Sequence, residues 1–179
     1  VLAALAWIAV PVSARAETDV WDGTTASGFA GGTGMENDPW LIENAEQLAY
    51  LAQQVNKGKD YQRVHFRLVS DLDLSGKEWT PIGTDGKIFW GGFDGGGHTI
   101  RNLKIDYSGS TLGFIRHVGR GGQIKNLHIT GTVAPDGIRE KVGGIAGQNS
   151  GTIIGCTFSG SVAGETTVGG IAGYNDSTG

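Results

Sequence analysis

Most apolar residues in this chain alternate with polar ones in short stretches that glycine separates. Between Phe66 and Leu74, four apolar side chains share one face, while Arg67, Asp71 and Asp73 share the other. This alternation predicts a half-buried strand. Similar short stretches follow at intervals of roughly 8 to 12 residues with no helical pattern between them, which is typical of a sandwich, a barrel or a β-helix.

One segment has the periodicity of a helix instead. Asn44 is placed to cap its N-terminus, Gln47 completes a capping-box pattern, and Gly58 is placed to end it. Four apolar residues fall on one face of this helix: Leu48, Leu51, Ala52 and Val55. A single amphipathic helix ahead of an array of strands predicts a cap that covers the open end of the first coil.

The sequence also repeats itself. Residues 142–149 return as residues 168–175 with seven of eight identical, at an offset of 26, and residues 123–133 align with residues 152–162 at an offset of 29. A period of this size indicates a solenoid, in which each coil buries its apolar face against its neighbours. The repeat therefore favours the β-helix among the three all-β classes, with parallel strands and equivalent inward positions stacked from coil to coil.

A third, earlier repeat is predicted because residues 99–105 match a segment 24 residues later. This alignment makes Asn102 equivalent to Asn126, as the last repeat makes Asn149 equivalent to Asn175. Asparagine tolerates the left-handed conformation at turns, and stacked asparagines can form a hydrogen-bonded ladder between coils. We therefore predict a structural role for both pairs.

The alignment at offset 29 predicts a continuous core of stacked inward side chains: Ile124, Leu127, Ile129, Ile153, Cys156 and Phe158. Cys156 is the only cysteine and takes the position of Leu127, so we predict a buried thiol that packs as a small apolar side chain. His128 falls between two inward residues and is predicted to face outward.

Composition narrows the possible classes of protein. Glycine contributes 32 of 179 residues without a Gly-X-Y period, which excludes collagen and suits tight turns between strands. The net charge of −4 gives no argument for binding nucleic acid. Residues 1–12 are apolar and are followed by Ala14-Arg-Ala16, which predicts a secretory signal over residues 1–16 that lacks its own start.

Three regions are therefore expected. Residues 1–16 are the signal, residues 17–60 form an N-terminal cap with one helix, and residues 61–179 form β-helix coils that are cut in mid-repeat. The apolar run of the signal is too short to span a bilayer, so the chain is not expected to span the membrane after cleavage.

The glycine-rich segment from Gly144 to Cys156 resembles the GLUG motif, a repeat usually written Gly-Leu-(Val/Ala)-Gly-x-Asn followed by Gly-x-Ile-x-Asn-Cys. Ile145 replaces the leucine, and Gly155 stands where the motif has asparagine. The resemblance implies a right-handed parallel β-helix of the kind found in large bacterial surface proteins, including adhesins and M26-type IgA peptidases. The chain has no His-Glu-x-x-His, so the peptidase activity does not carry over.

Four residues match patterns of metal-binding or acid–base sites. Asp71 and Asp73 begin half of a calcium-loop pattern, but Ile82 stands where an EF-hand needs a bidentate glutamate. Asp94 and His98 have the spacing of an acid–base pair, but the glycines around them favour a turn in which Asp94 bonds its own backbone. We therefore predict no catalytic residue, no metal and no cofactor.

Two tryptophans have two possible roles. Trp79 and Trp90 could form a platform on which a sugar stacks, or they could pack the cap against the first coil, which is the interpretation we favour. The acids of the repeat region occupy no equivalent positions in successive coils, so paired carboxylates for glycoside hydrolysis are not expected.

The sequence as a whole predicts an exported bacterial protein, secreted or at the cell surface, whose β-helix stalk is structural or adhesive and not catalytic. Its expected partners are host or matrix glycans or proteins, with no nucleic acid, and it is expected to be a monomer that continues into further repeats. The alternative is the N-terminal part of a polysaccharide-active enzyme or of a surface metallopeptidase whose catalytic residues lie outside this chain.

Overall fold

A computed structural model describes residues 20–106, 109–134 and 140–176; the predicted signal over residues 1–16 lies outside them. The described elements are β1 (Trp40–Ile42), α1 (Ala45–Asn56), β2 (His65–Leu68), β3 (Leu72–Asp73), β4 (Gly92–Asp94), β5 (Thr99–Ile105), β6 (Thr111–Leu112), β7 (Ile115–Val118), β8 (Gln123–Lys125), β9 (His128–Val133), β10 (Lys141–Gly143), β11 (Ala146–Asn149), β12 (Thr152–Ile154), β13 (Thr157–Val162), β14 (Thr167–Gly169) and β15 (Ala172–Asn175).

The strands form four sheets in which every paired strand runs parallel to its neighbour. Sheet I has the order β1-β2-β4-β8-β12, sheet II β13-β9-β5-β3, sheet III β14-β10-β6 and sheet IV β15-β11-β7. From β4 onward, the chain visits sheets I, II, III and IV in turn and then returns to sheet I one layer higher. The fold is therefore a parallel β-solenoid of about four turns with one short helix, as the repeat predicts.

The later repeats are confirmed residue by residue. Ile124 pairs with Ile153 and Ile129 with Phe158, at the predicted offset of 29. Strands β10 and β14, and strands β11 and β15, pair at the predicted offset of 26. In the inner coil, the predicted inward residues are at most 1% exposed, and their counterparts in the next coil pack half-buried against the same core.

The earliest predicted repeat is wrong. Thr99 pairs with His128, not with Gln123, and Gln123 pairs with Gly92. The two matched segments lie in different sheets of the solenoid, β5 in sheet II and β8 in sheet I. All four sheets face one core, so the same alternation of inward and outward residues recurs within a single coil. A similarity between two sides of the solenoid can therefore imitate a repeat between coils.

The strand predicted from Phe66 to Leu74 is also divided. Strand β2 ends at Leu68, and strand β3 begins at Leu72 in a different sheet, so the chain turns a corner between them. The predicted apolar face is nevertheless buried on both sides of the corner, with Phe66, Leu68, Leu72 and Leu74 at most 3% exposed. The alternation of inward and outward side chains continues past the corner because β2 and β3 border the same interior.

Helix α1 begins and ends where the sequence predicts. The Asn44 side chain accepts a hydrogen bond from the backbone N–H of Gln47 at 3.0 Å. The Gln47 side chain in turn accepts from the N–H of Glu43 at 2.8 Å, so the reciprocal bond closes one residue earlier than in a capping box. At the other end, Gly58 takes φ = +104° and donates to Val55.

The helix packs across the first coil. Leu48, Leu51 and Val55 are completely buried, and the Asn56 side chain bonds the backbone of the first coil at Pro81 O and Gly83 N (3.2 and 2.7 Å). The interior beneath it is aromatic, with Trp79 stacked on Phe114 at a centroid distance of 5.6 Å. Helix α1 is the one helix among the described residues, and with twelve residues it is not long and apolar enough to cross a membrane.

Candidate functional site

Outward side chains of sheet I stack in register along the axis of the solenoid. One column contains Arg67, Asp94 and Lys125, which are Cα partners on β2, β4 and β8. In the next column, His65 lies over Gly92, where an added Cβ would come within 2.6 Å of His65 Nδ1. The absent side chain leaves a shallow polar depression along this face, here termed the charged groove.

The charged groove has two wider parts, and both are bordered by Arg67 and Asp94. One, of about 190 Å³, extends to Lys125, and the other, of about 370 Å³, extends to Asn126 and His128. Arg67 is exposed and forms no ion pair with any residue that the structure describes. The groove can therefore offer a free guanidinium group to a polar or anionic ligand.

Asp94 is held by its own turn, as the sequence predicts. Its Oδ1 accepts hydrogen bonds from the N–H of Gly96 at 2.9 Å and from Asn126 Nδ2 at 3.1 Å. Its Oδ2 lies 3.8 Å from Lys125 Nζ. These contacts hold the Asp94 side chain in the bend between sheets I and II.

His98 does not face Asp94; it faces Asp71, with His98 Nδ1 and Asp71 Oδ1 3.4 Å apart. Asp71 also accepts from Thr99 N at 3.0 Å and from the Arg101 guanidinium at 2.5 Å. The Thr99 N–H, followed by the Arg101 charge and the His98 side chain, lowers the pKa of Asp71 below its ordinary value, against the effect of partial burial. Asp94 and His98 therefore do not form an acid–base pair. His98 belongs instead to an ion-pair cluster with Asp71 and Arg101, which joins two coils.

Asp73 bonds a different set of groups. Its Oδ1 accepts from Ser75 N at 2.8 Å and from Asn102 Nδ2 at 3.0 Å. Partial burial acts to raise the pKa of Asp73, but the bonds from Asn102 and Ser75 outweigh it and lower the pKa. The two aspartates of the calcium-like pattern thus have separate partners, and no group of three or more potential metal ligands occurs among the described residues.

The predicted asparagine pairs have different outcomes. Asn149 and Asn175 stack as predicted, with Asn149 Nδ2 donating to Asn175 Oδ1 at 2.7 Å. Asn102 and Asn126 are not equivalent, because the alignment at offset 24 is wrong. Both nevertheless take left-handed conformations, with φ of +58° and +50°, and Gly155 occupies the same turn as Asn126 one coil later with φ = +61°.

Sequence reasoning missed one polar cluster, which spans three coils on sheet IV. His117 Nε2 lies 2.9 Å from Ser150 Oγ, and the Ser150 hydroxyl donates to Asp176 Oδ2. Since the serine proton is directed to the carboxylate, Nε2 of His117 must donate to Ser150 and cannot accept its proton. Burial lowers the pKa of His117, although the Asp176 charge opposes this. The cluster is therefore an interlayer hydrogen-bond chain and lacks the arrangement of a nucleophilic serine.

The two tryptophans that the sequence singled out have different environments. Trp79 is 2% exposed and stacks inside the solenoid, so it cannot bind a sugar. Trp90 is half-exposed and borders a separate cavity of about 280 Å³ at the C-terminal end of α1. The packing role that we predicted for both is therefore confirmed for Trp79 alone.

Cys156 packs half-buried against the core, as its repeat position predicts. Its Sγ contacts the carbonyl oxygens of Ile124 and Ile154 at 3.7 and 3.3 Å. Burial raises the pKa of the thiol, which disfavours the reactive thiolate.

This geometry defines a repeat protein of the parallel β-solenoid class. Residues 140–163 match the family model of the GLUG motif, so the chain contains a GLUG repeat and the resemblance seen in the sequence is confirmed. The matched segment runs through strands β10 to β13 and contains Asn149, which stacks on Asn175, and Cys156.

Three known proteins are similar to this chain. Halomucin from Haloquadratum walsbyi is 34% identical over 168 residues, which cover 88% of this chain and 2% of halomucin. A protein from Evansella cellulosilytica, named as a candidate Gly-rich membrane protein, is 34% identical over 136 residues, which cover 72% of this chain and 15% of the relative. The crystal structure of a candidate immunoglobulin A1 protease from Bacteroides ovatus superimposes with a TM-score of 0.49 at 21% identity, covering 84% of this chain and 66% of that one.

Proposed function

We propose that this chain is a non-catalytic part of an exported surface protein, in which a β-solenoid stalk holds adhesive faces away from the cell. The observation that carries the proposal is that equivalent strands of successive coils pair in register. Parallel strands repeat at offsets of 26 and 29 residues with inward side chains stacked. Such a structure gains length by adding coils without changing its cross-section, which suits a stalk.

The two relatives support this role. One is named halomucin and the other a candidate Gly-rich membrane protein, and this chain spans only 2% and 15% of their respective lengths. A repeat region that matches a small part of much longer relatives is consistent with an extended structural element. The predicted signal over residues 1–16 agrees with export of the whole protein.

The outer faces support adhesion better than catalysis. The carboxylates of Asp71, Asp73 and Asp94 each accept bonds from neighbouring turns or coils, so they hold the solenoid together. The exposed Arg67 in the charged groove, in contrast, has no ion-pair partner among the described residues. A polar face with an unpaired cation can bind an acidic partner weakly, and further coils that present such faces would add to the binding.

Surface exposure can be tested in the source cells with an antibody raised against residues 20–176. We expect proteinase K to remove the epitope from intact cells while a cytosolic marker protein stays whole. Retention of the epitope until the cells are lysed would contradict the surface location. Depolymerisation of a polysaccharide by the purified chain would contradict the non-catalytic role.

A further inference from the structure

The cavity beside Trp90 lies outside the charged groove and serves no packing role described above. It is bordered by the end of α1, by the loop that follows it, and by the residues that precede β4. Its walls contain one aromatic ring, two lysines and one carboxylate: Trp90, Lys59, Lys87 and Asp60. This set is here termed the tryptophan cleft.

The Trp90 ring is fixed in place by its surroundings. A Cβ on Gly119, one coil above, would come within 2.5 Å of Trp90 Cδ2, so only glycine lets the ring lie against the backbone there. The backbone N–H of Trp90 donates to Asp60 O at 2.9 Å, which ties the main chain at Trp90 to the loop that follows α1. Trp90 is nevertheless only half-buried and lines the cavity. A rigid, partly exposed indole offers binding area at little entropic cost.

The loop that forms the opposite wall has an unusual backbone. Tyr61 and Arg63 take left-handed conformations, with φ of +56° and +62°, although neither is glycine or asparagine. Such conformations cost of order 1 kcal/mol or more each and cluster at sites that hold ligands. Lys59 and Asp60, which precede them in the same loop, line the cleft with exposed side chains.

The charges of the cleft favour an acidic ligand. Lys59 and Lys87 are both exposed, and neither forms an ion pair within the described residues. With Asp60 as the one carboxylate lining the cleft, its local charge is positive, whereas the chain as a whole carries −4. Two ammonium groups beside an indole match a ring with an apolar face and a carboxylate at its edge.

We propose that the tryptophan cleft binds a carboxylated sugar, with the pyranose ring stacked on Trp90 and its carboxylate between Lys59 and Lys87. The cavity volume of about 280 Å³ is close to the lower limit of roughly 300 Å³ for ligand pockets, which suits a single sugar unit at a chain end or branch. This inference names the ligand of the proposed adhesive role and rests on that role.

The test is isothermal titration of the purified chain with three oligosaccharides: trigalacturonate, sialyllactose and neutral maltotriose. We expect one of the two acidic sugars to bind at least tenfold more tightly than maltotriose, and the stronger of the two identifies the source of the carboxylate. Failure of both acidic sugars to bind, or equal binding of maltotriose, would overturn the inference. Because the titration needs no cells, its failure would leave the surface location to be decided by the protease experiment.

Two variants, each with a matched control, assign the binding to the cleft. Lys59→Gln with Lys87→Gln should abolish the preference for the acidic sugar, while Lys77→Gln with Lys104→Gln removes the same charge from exposed sites elsewhere and should leave it unchanged. Trp90→Leu should weaken binding at least tenfold, and Trp40→Phe should have no effect. Equal affinities in the lysine variant and its control would overturn the assignment even if Trp90→Leu failed to fold.

Discussion

Residues 142–149 and 168–175 are the same octapeptide except for one residue, yet they have different environments. Val142 is completely buried, whereas its Cα partner Val168 is 46% exposed. Ile145 is completely buried, whereas Ile171 is half-buried. The backbone is the same in both, since both segments form a pair of strands in sheets III and IV.

The difference arises from the neighbouring layers. The inner octapeptide has a described coil on each side, whereas the outer one is paired with described strands on one side alone. At the opposite end of the solenoid, α1 takes the place of a further coil and keeps Leu51 completely buried. In an array, burial therefore depends on position, and an identical motif can be core in one coil and surface in the next.

The largest effect should come from removing the helical cap. Deletion of residues 17–60 exposes the aromatic interior and the strand edges of the first coil, so we expect soluble oligomers or aggregates in light scattering. Deletion of residues 164–179 replaces one uncovered layer with another and should leave the association state unchanged. A variant without residues 17–60 that remains monomeric with an unchanged Tm would contradict a capping role.

The matched isoleucines test the dependence of burial on position. Ile145→Ala should lower the free energy of unfolding by about 2–5 kcal/mol, because a cavity remains in a filled core. Ile171→Ala should cost about 1 kcal/mol, since its side chain is already half-exposed and its site can be filled by water. Urea denaturation measures both values. Equal costs would mean that the outer layer is covered in solution.

The matched asparagines provide a polar version of the same test. Asn149 is 3% exposed and accepts from Gly151 N at 3.1 Å while donating to Asn175. Asn149→Ala should therefore cost about 1–3 kcal/mol, because it leaves the Gly151 N–H unpaired in the interior. Asn175→Ala removes an exposed partner and should cost less than about 1 kcal/mol. The reverse order in thermal denaturation would contradict the ladder.

A turn residue should not show this dependence on position. Asn126 and Gly155 occupy the same left-handed turn in successive coils. We expect Asn126→Ala and Gly155→Ala to cost about 1 kcal/mol each, because alanine tolerates the left-handed conformation less well than either asparagine or glycine, and this strain is local. Asn126→Gly is the control and should be close to neutral. A much larger cost for Asn126→Ala than for Gly155→Ala would show that the interlayer contacts of Asn126 decide its stability.

The smallest effect concerns pH. Burial lowers the pKa of His117 below its ordinary value of 6.5, so the unfolded chain binds the proton more tightly than the folded one. The stability that the neutral histidine contributes should be complete above pH 6.5 and be lost as the pH falls through the lowered pKa. His117→Gln should flatten the dependence of Tm on pH in this range, while His65→Gln serves as the control. An unchanged slope in His117→Gln would contradict this assignment.

Features that depend on nearby residues were predictable from the sequence. The limits of α1 follow from Asn44 and Gly58, because capping bonds join residues within one turn of helix. The buried face from Phe66 to Leu74 follows from alternation, because successive side chains of an extended chain point to opposite sides. The Asx turn at Asp94 was predictable for the same reason, since its partner Gly96 lies two residues away.

The candidate sites were less predictable, because their members come from different coils. The partner of His98 is Asp71, which lies one coil earlier, and not the nearby Asp94. The cluster of His117, Ser150 and Asp176 has one member from each of three layers and no spacing that a pattern would reveal. Coil length sets these contacts, and it varies with the loops.

The sequence by itself determined the class of the fold, the helix and the identity of the inward residues. Periodicity and caps are local, and the close repeat of residues 142–149 requires equivalent strands to stack. Only the tertiary structure decided which side of one coil lies over which side of the next. It also buried Trp79 while leaving Trp90 at the edge of a cavity, because exposure depends on the layers that surround a residue and not on the residue itself.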